Sequence, residues 1–187
     1  MTSVALLLAA GFGRRFGADK RRARLADGRT LLAASLANAR AVFDEVRVVL
    51  RAEDDPIELG LPVDIPLVRC ADAQSGMGHS LAAGVNSLKS CTADSVAILL
   101  GDMPWLAEST LRLLLEQATA QRIVFPQHDG QRGHPVLFGR AFWPELLQLQ
   151  GDEGARQVLQ AHRDAWHPVV VDDSGVLRDV DTPAALD

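Results

Sequence analysis

Short, strongly apolar runs alternate along this chain with stretches in which apolar residues return every three or four positions. Residues 4–9, 46–50, 96–100 and 169–171 are runs of the first kind, as expected of strands covered on both faces. Leu32, Leu36, Ala39 and Phe43 share one helical face, as do Leu111, Leu114, Leu115 and Ala118, and again Ala155, Val158, Leu159 and His162. This alternation predicts an α/β fold with a parallel sheet covered by helices. Residues 62–68 predict a short edge strand, because Pro62 and Pro66 would interrupt a central ladder. Residues 123–126 and 135–138 flank a polar turn at Asp129 and Gly130 and predict a pair of extended segments near one rim of the sheet.

Ligands of open parallel sheets bind outside the carboxyl ends of the strands, so the loops after the apolar runs carry the candidate chemistry. The first run enters Leu8-Ala9-Ala10-Gly11-Phe12-Gly13-Arg14-Arg15-Phe16-Gly17-Ala18-Asp19-Lys20. Its glycines let backbone N–H groups approach an anion, and Arg14, Arg15 and Lys20 add charge. The pattern is GxGxxxG. A Walker A loop is excluded because Ala18, not a Lys and a Ser or Thr, follows Gly17. A dinucleotide fingerprint is excluded because Phe16 stands where its third glycine belongs.

The loop after residues 96–100 carries Asp102 between Gly101 and Pro104, placed either to hold Mg²⁺ beside phosphate oxygens or to cap a turn. Asp179 and Asp181 would project to one face of an extended segment, as metal ligands or as caps before Pro183. Residues 74–80, Gln-Ser-Gly-Met-Gly-His-Ser, form a small-residue loop leading into a helix over 81–88. It is open to a flat base or is an ordinary loop capped by Ser80. His134, beside Pro135, reads on its own as structural, and residues 151–156 form a further polar loop.

Charge narrows the ligand. The net charge of −5 hides a basic segment in which Arg14, Arg15, Lys20, Arg21, Arg22 and Arg24 face only Asp19. An acidic body with one basic spot suits a small polyanion and argues against a nucleic-acid partner. Arg21, Arg22 and Arg24 read equally well as part of that spot and as a water-exposed loop. A chain of 187 residues, 48% of them hydrophobic, is expected to form one domain over 1–187. Cys70 and Cys91 lack metal spacing, and the first apolar run is too short for an anchor, so a cytoplasmic, membrane-free setting is expected.

Six segments in order then carry a resemblance: LAAGFGRRFGADK at 8–20, GMGHSLAAG at 76–84, LLGDMP at 99–104, GHPVLF at 133–138, GDEGAR at 151–156 and DVDTPAAL at 179–186. Together they resemble the nucleotidyltransferase family that activates the molybdenum cofactor, most closely its cytidylyltransferase branch. The resemblance implies a single-domain, Rossmann-like three-layer sandwich with a mostly parallel sheet. It implies transfer of CMP from CTP to the terminal phosphate of a molybdopterin-type acceptor with release of pyrophosphate, and a molybdoenzyme as a further partner. It also implies roles for residues. Leu8, Ala9, Ala10, Gly11, Gly13, Gln74, Gly78 and Ser80 would hold nucleotide; Arg15 and Lys20 would neutralise the triphosphate; Asp102 and Asp181, with Asp179 in reserve, would bind Mg²⁺; His134 and Arg156 would face the acceptor. The Ala9-Ala10 pair resembles the cytidylyl rather than the guanylyl branch. Departures from the family pattern are Gly13 for serine, Phe16 for methionine, Ala82 for arginine, and Arg21-Arg22-Ala23-Arg24 for an apolar run.

Three alternatives stay open beside this expectation: a transferase using GTP or a sugar-phosphate acceptor, a nucleotide-binding chaperone for a molybdoenzyme, and, least favoured by Phe16, a nicotinamide oxidoreductase.

Overall fold

In the computed structural model, which describes residues 1–13 and 16–186, the first three apolar runs become the centre of an eight-stranded sheet. Residues 169–171 instead fall at its edge, in and just after a strand paired only to one neighbour, with Val170 79% exposed. The strands are β1 (Ser3–Leu8), β2 (Glu45–Arg51), β3 (Leu67–Cys70), β4 (Ser95–Leu100), β5 (Ile123–His128), β6 (Gln131–Arg132), β7 (Val136–Gly139) and β8 (Trp166–Val170). The helices are α1 (Leu31–Arg40), α2 (Met77–Asn86), α3 (Glu108–Gln117), α4 (Trp143–Leu146) and α5 (Arg156–Ala161). The sheet order is β3-β2-β1-β4-β7-β5-β6, with β8 paired to β5. β1, β2, β3 and β4 run parallel, as do β5 and β8, while β7 is antiparallel to both its neighbours.

Side chains along a strand alternate between faces, and β1 shows the consequence for layering. Val4, Leu6 and Leu8 pack with Leu81 and Val85 of α2, Leu146 of α4 and Leu159 of α5. Ala5, Leu7 and Ala9 pack with Leu32 and Leu36 of α1 and Leu111 and Leu114 of α3. The three-layer α/β architecture expected above is therefore present. Leu6, Leu7, Leu32 and Leu111 are wholly buried, each worth about 1.5–3 kcal/mol against exposure.

Two sequence expectations shift. The edge strand β3 begins only after Pro66, whose carbonyl accepts from Val48 N–H while its own nitrogen has no hydrogen to give. Residues 135–138 do not lie at a rim, because β7 is inserted between β4 and β5. β4 and β7 hydrogen-bond at Ser95 to Ile98, so the second half of the sheet hangs on an antiparallel seam. The register Leu8↔Leu100 brings the carboxyl ends of β1 and β4 side by side, which places the loops after them in contact. Among the described residues, no helix is long and apolar enough to cross a membrane.

Candidate functional site

A cleft of about 530 Å³ opens at those strand ends. Leu8, Ala9, Ala10, Gly11 and Gly13 form one wall, Gln74 and Ser80 another, and Lys20, Asp102, Asp179 and Asp181 the far corner. Its size suits a small ligand. A Cβ on Gly11 would meet nothing within 4 Å, so the space in front of this backbone is open. Gly13 has φ +51°, a left-handed conformation that favours glycine, and its Cα sits on the stem of Lys20. Arg15, one of the expected cations, and Arg14 lie outside the described residues.

The far corner is built by three separate stretches. Asp102 follows β4 directly. Val180 is buried and its N–H donates to Asp102 O at 3.0 Å, which seats an extended segment so that Asp179 and Asp181 flank it. One oxygen from each of the three carboxylates lies within 4.8 Å of the others. Lys20 Nζ donates to Asp102 Oδ2 at 2.6 Å, to Asp181 Oδ1 at 3.1 Å and to Val180 O at 3.0 Å. Burial would lower the Lys20 pKa, but the hydrogen bonds and charges of Asp102 and Asp181 outweigh it and hold the ammonium above its ordinary range. Asp179 is shifted upward by desolvation first, then by the like charges of Asp181 and Asp102.

This corner fits a divalent cation on its own chemistry. Three carboxylates converge here, two of them bonded to Lys20, and Asp102 Oδ1 is buried without a hydrogen-bond partner among the described residues. Hard cations such as Mg²⁺ and Mn²⁺ take oxygen ligands of this kind.

Other expected residues fall elsewhere. Gly78 is not on the cleft: its N–H donates to Gly151 O at 2.8 Å, and a Cβ there would stand 2.6 Å from Gln150 O. It lets α2 dock on residues 150–151 and has no hydrogen left for a nucleotide. Ser80 reaches the cleft but does not cap the helix, since α2 begins at Met77 with Gly76 at the cap. His134 does not line the cleft. It stands behind it, near enough for the Asp102 charge to act on it, with Nδ1 buried and unpartnered among the described residues. Burial lowers its pKa, favouring the neutral ring. Arg156 is an exposed residue at the start of α5 and is absent from the cleft wall.

Arg21 borders the cleft but is not water-exposed: it is 4% exposed and paired to Asp19 and Asp54. Phe12, Gly76, Met77 and Asp152 also border the cleft, although the sequence marked them only as members of longer loops. The small-residue loops at 74–80 and 151–156 were the available signal for the last three.

The pattern of the MobA-like NTP transferase domain matches residues 5–166. The purine catabolism protein PucB of Bacillus subtilis is 34% identical over 194 residues, covering 98% of this chain and 94% of that protein. A probable molybdenum cofactor guanylyltransferase of Chloroflexus aggregans is 31% identical over 137 residues, covering 70% of this chain and 62% of that protein. Among solved structures, Rv0371c of Mycobacterium tuberculosis superposes with a TM-score of 0.84 at 27% identity, covering 99% of this chain and 95% of that one. The same protein has been solved in complex with manganese, with a TM-score of 0.81 to this chain at 27% identity and coverage of 99% and 96%. With this match across most of its length, the chain belongs to the MobA-like NTP transferase family and is a nucleotidyltransferase.

Proposed function

We propose that this nucleotidyltransferase moves CMP from CTP to the terminal phosphate of a molybdopterin-type acceptor and releases pyrophosphate. The observation that carries the reading is the meeting of Lys20 and the carboxylates of Asp102, Asp179 and Asp181 with the open loop at residues 8–13 in one cleft. The choice of cytosine rests on the Ala9-Ala10 pair. Both side chains are buried, one against each helical layer.

In this reaction an acceptor phosphate oxygen forms a bond to the α-phosphorus of CTP while the bond from that phosphorus to the β-phosphate oxygen breaks. The acceptor phosphate is ionised near neutral pH, so no general base is needed. Two polyanions must be brought together, and positioning with charge neutralisation does most of the work. Leu8 to Gly13 present backbone to the phosphates. Lys20, tethered between the carboxylates and the loop, neutralises charge as pyrophosphate departs. Asp102 and Asp181, with Asp179, would hold Mg²⁺, which supplies Lewis-acid polarisation of phosphate oxygens when bound. Gln74 and Ser80 face base and ribose.

A thermal-shift panel of CTP, GTP and NAD, each with and without Mg²⁺, tests this reading. At about a hundred times its dissociation constant, the true donor adds roughly 2.7 kcal/mol of stability. Stabilisation by CTP with Mg²⁺, followed by pyrophosphate release on adding a molybdopterin-type acceptor, is the expected result. No Mg²⁺-dependent preference for any triphosphate overturns it. A preference for GTP would move the chain to the guanylyl reading, which the relatives named as guanylyltransferases favour.

A further inference from the structure

Arg21 is the one charged residue in the buried class among the described residues. A guanidinium has five N–H donors, and here all five are engaged. Nε donates to Asp19 Oδ1 at 2.8 Å; Nη1 donates to Ala9 O at 2.7 Å and to Asp54 Oδ2; Nη2 donates to Asp19 Oδ2 at 2.7 Å and to Asp54 Oδ1 at 2.8 Å. No hydrogen remains for a phosphate. One of the five bonds instead holds the Ala9 carbonyl of the glycine loop.

A second arginine does the same to the next two carbonyls. Arg51, the last residue of β2, donates from Nε to Ala10 O at 3.2 Å and from Nη2 to Gly11 O. Its guanidinium also lies 3.9 Å from the centroid of the Phe12 ring, a favourable cation–π contact. The Arg51 backbone N–H donates to Asp54 Oδ2 at 2.9 Å. Asp54 therefore joins the two arginines.

In a trans peptide the C=O and the following N–H point in opposite directions. Fixing the carbonyls of Ala9, Ala10 and Gly11 on the two arginines fixes the N–H groups of Ala10, Gly11 and Phe12 on the opposite sides of those peptides. None of those three N–H groups has an acceptor among the described residues. All three residues border the cleft.

We propose that Arg21 and Arg51, joined through Asp54, are positioning residues that clamp the loop by its carbonyls and so hold its N–H groups ready for the phosphates of the nucleotide. This rests on the reading of the cleft as a triphosphate site. It assigns a task to Arg21, which stands where the resembled family runs apolar.

Arg51→Met is the variant of choice, because it keeps an apolar stem over Phe12 and leaves Arg21 with all its partners. The probes are magnesium tripolyphosphate and magnesium CTP, titrated calorimetrically. Arg69→Met is the control: it removes a neighbouring positive charge that binds Arg51 O and Asp54 O but no loop carbonyl. The expected result is at least about tenfold weaker binding of both probes by Arg51→Met, with the melting temperature kept, and no change for Arg69→Met. Equal weakening by the two variants would assign the effect to net charge and overturn the clamp. Wild-type affinity in Arg51→Met would also overturn it while leaving the triphosphate site intact. If the wild-type protein binds neither probe, the reading of the cleft falls and the clamp with it.

Discussion

The two ends of the cleft are built on opposite plans. At the loop of residues 9–13 the working groups are backbone, and the side chains that matter, Arg21 and Arg51, act by holding its carbonyls. At the carboxylate corner the working groups are side chains, brought from residues 20, 102, 179 and 181 by three separate stretches. An anion needs N–H groups set close together at fixed angles, which a braced turn of chain supplies. A cation needs oxygens converging from several directions, which here come from separate stretches of chain. The difference predicts where mutation should be felt: at the corner in the identity of a side chain, at the loop in whether a side chain intrudes at all.

The largest expected effect is at the corner. Asp102→Ala removes the carboxylate shared by Lys20 and the cation seat, and pyrophosphate release should fall at least about a thousandfold, roughly 4 kcal/mol of barrier. Turnover within tenfold of wild type would mean that the corner is not where charge is handled. The loop should answer to intrusion. Gly11 lies outside the left-handed region and faces open space, so Gly11→Val should leave the melting temperature unchanged. It should nevertheless weaken triphosphate binding about tenfold, ~1.4 kcal/mol. Unaltered affinity in a calorimetric titration would show that phosphates do not lie against that backbone.

The smallest effect concerns His134. Burial holds its pKa below the ordinary 6.5, so below that pH the unfolded chain takes up a proton that the folded one resists. Stability therefore falls as pH drops from 6.5 toward the folded value. His134→Gln should flatten this slope by less than about 1 kcal/mol in urea melts performed above and below pH 6.5. Because the Asp102 charge opposes the shift, Asp102→Ala should steepen it, coupling the corner to the strand behind it.

The central strands and the loop after β1 were legible because continuous apolar runs closed by glycine have few other meanings. The seat of Asp179 and Asp181 was half legible: their two-residue spacing implied a shared face, while the bond from Val180 to Asp102 that fixes it is long-range. The start of α2 was hidden because Gly76, Met77 and Gly78 read as loop, and contact with residues 150–151 holds them in place. The insertion of β7 between β4 and β5 was not legible, since short strands carry no mark of their neighbours. Arg21 misled most. In a run of arginines it resembles a surface residue, and its partner Asp54 is 33 positions away. Only the RAEDD stretch at residues 51–55, placing carboxylates at the end of a strand beside the loop, hinted at it.

The tie from Lys20 to Asp181 joins positions 161 apart, and this has a meaning for the order in which the protein is made. Contacts so distant in sequence form late and cost the most chain entropy to close. A nascent chain that has already built β1, its loop and β4 holds one wall of the cleft, but it lacks two of the three acidic groups until residue 181 has emerged. The cleft is therefore completed last at its acidic corner.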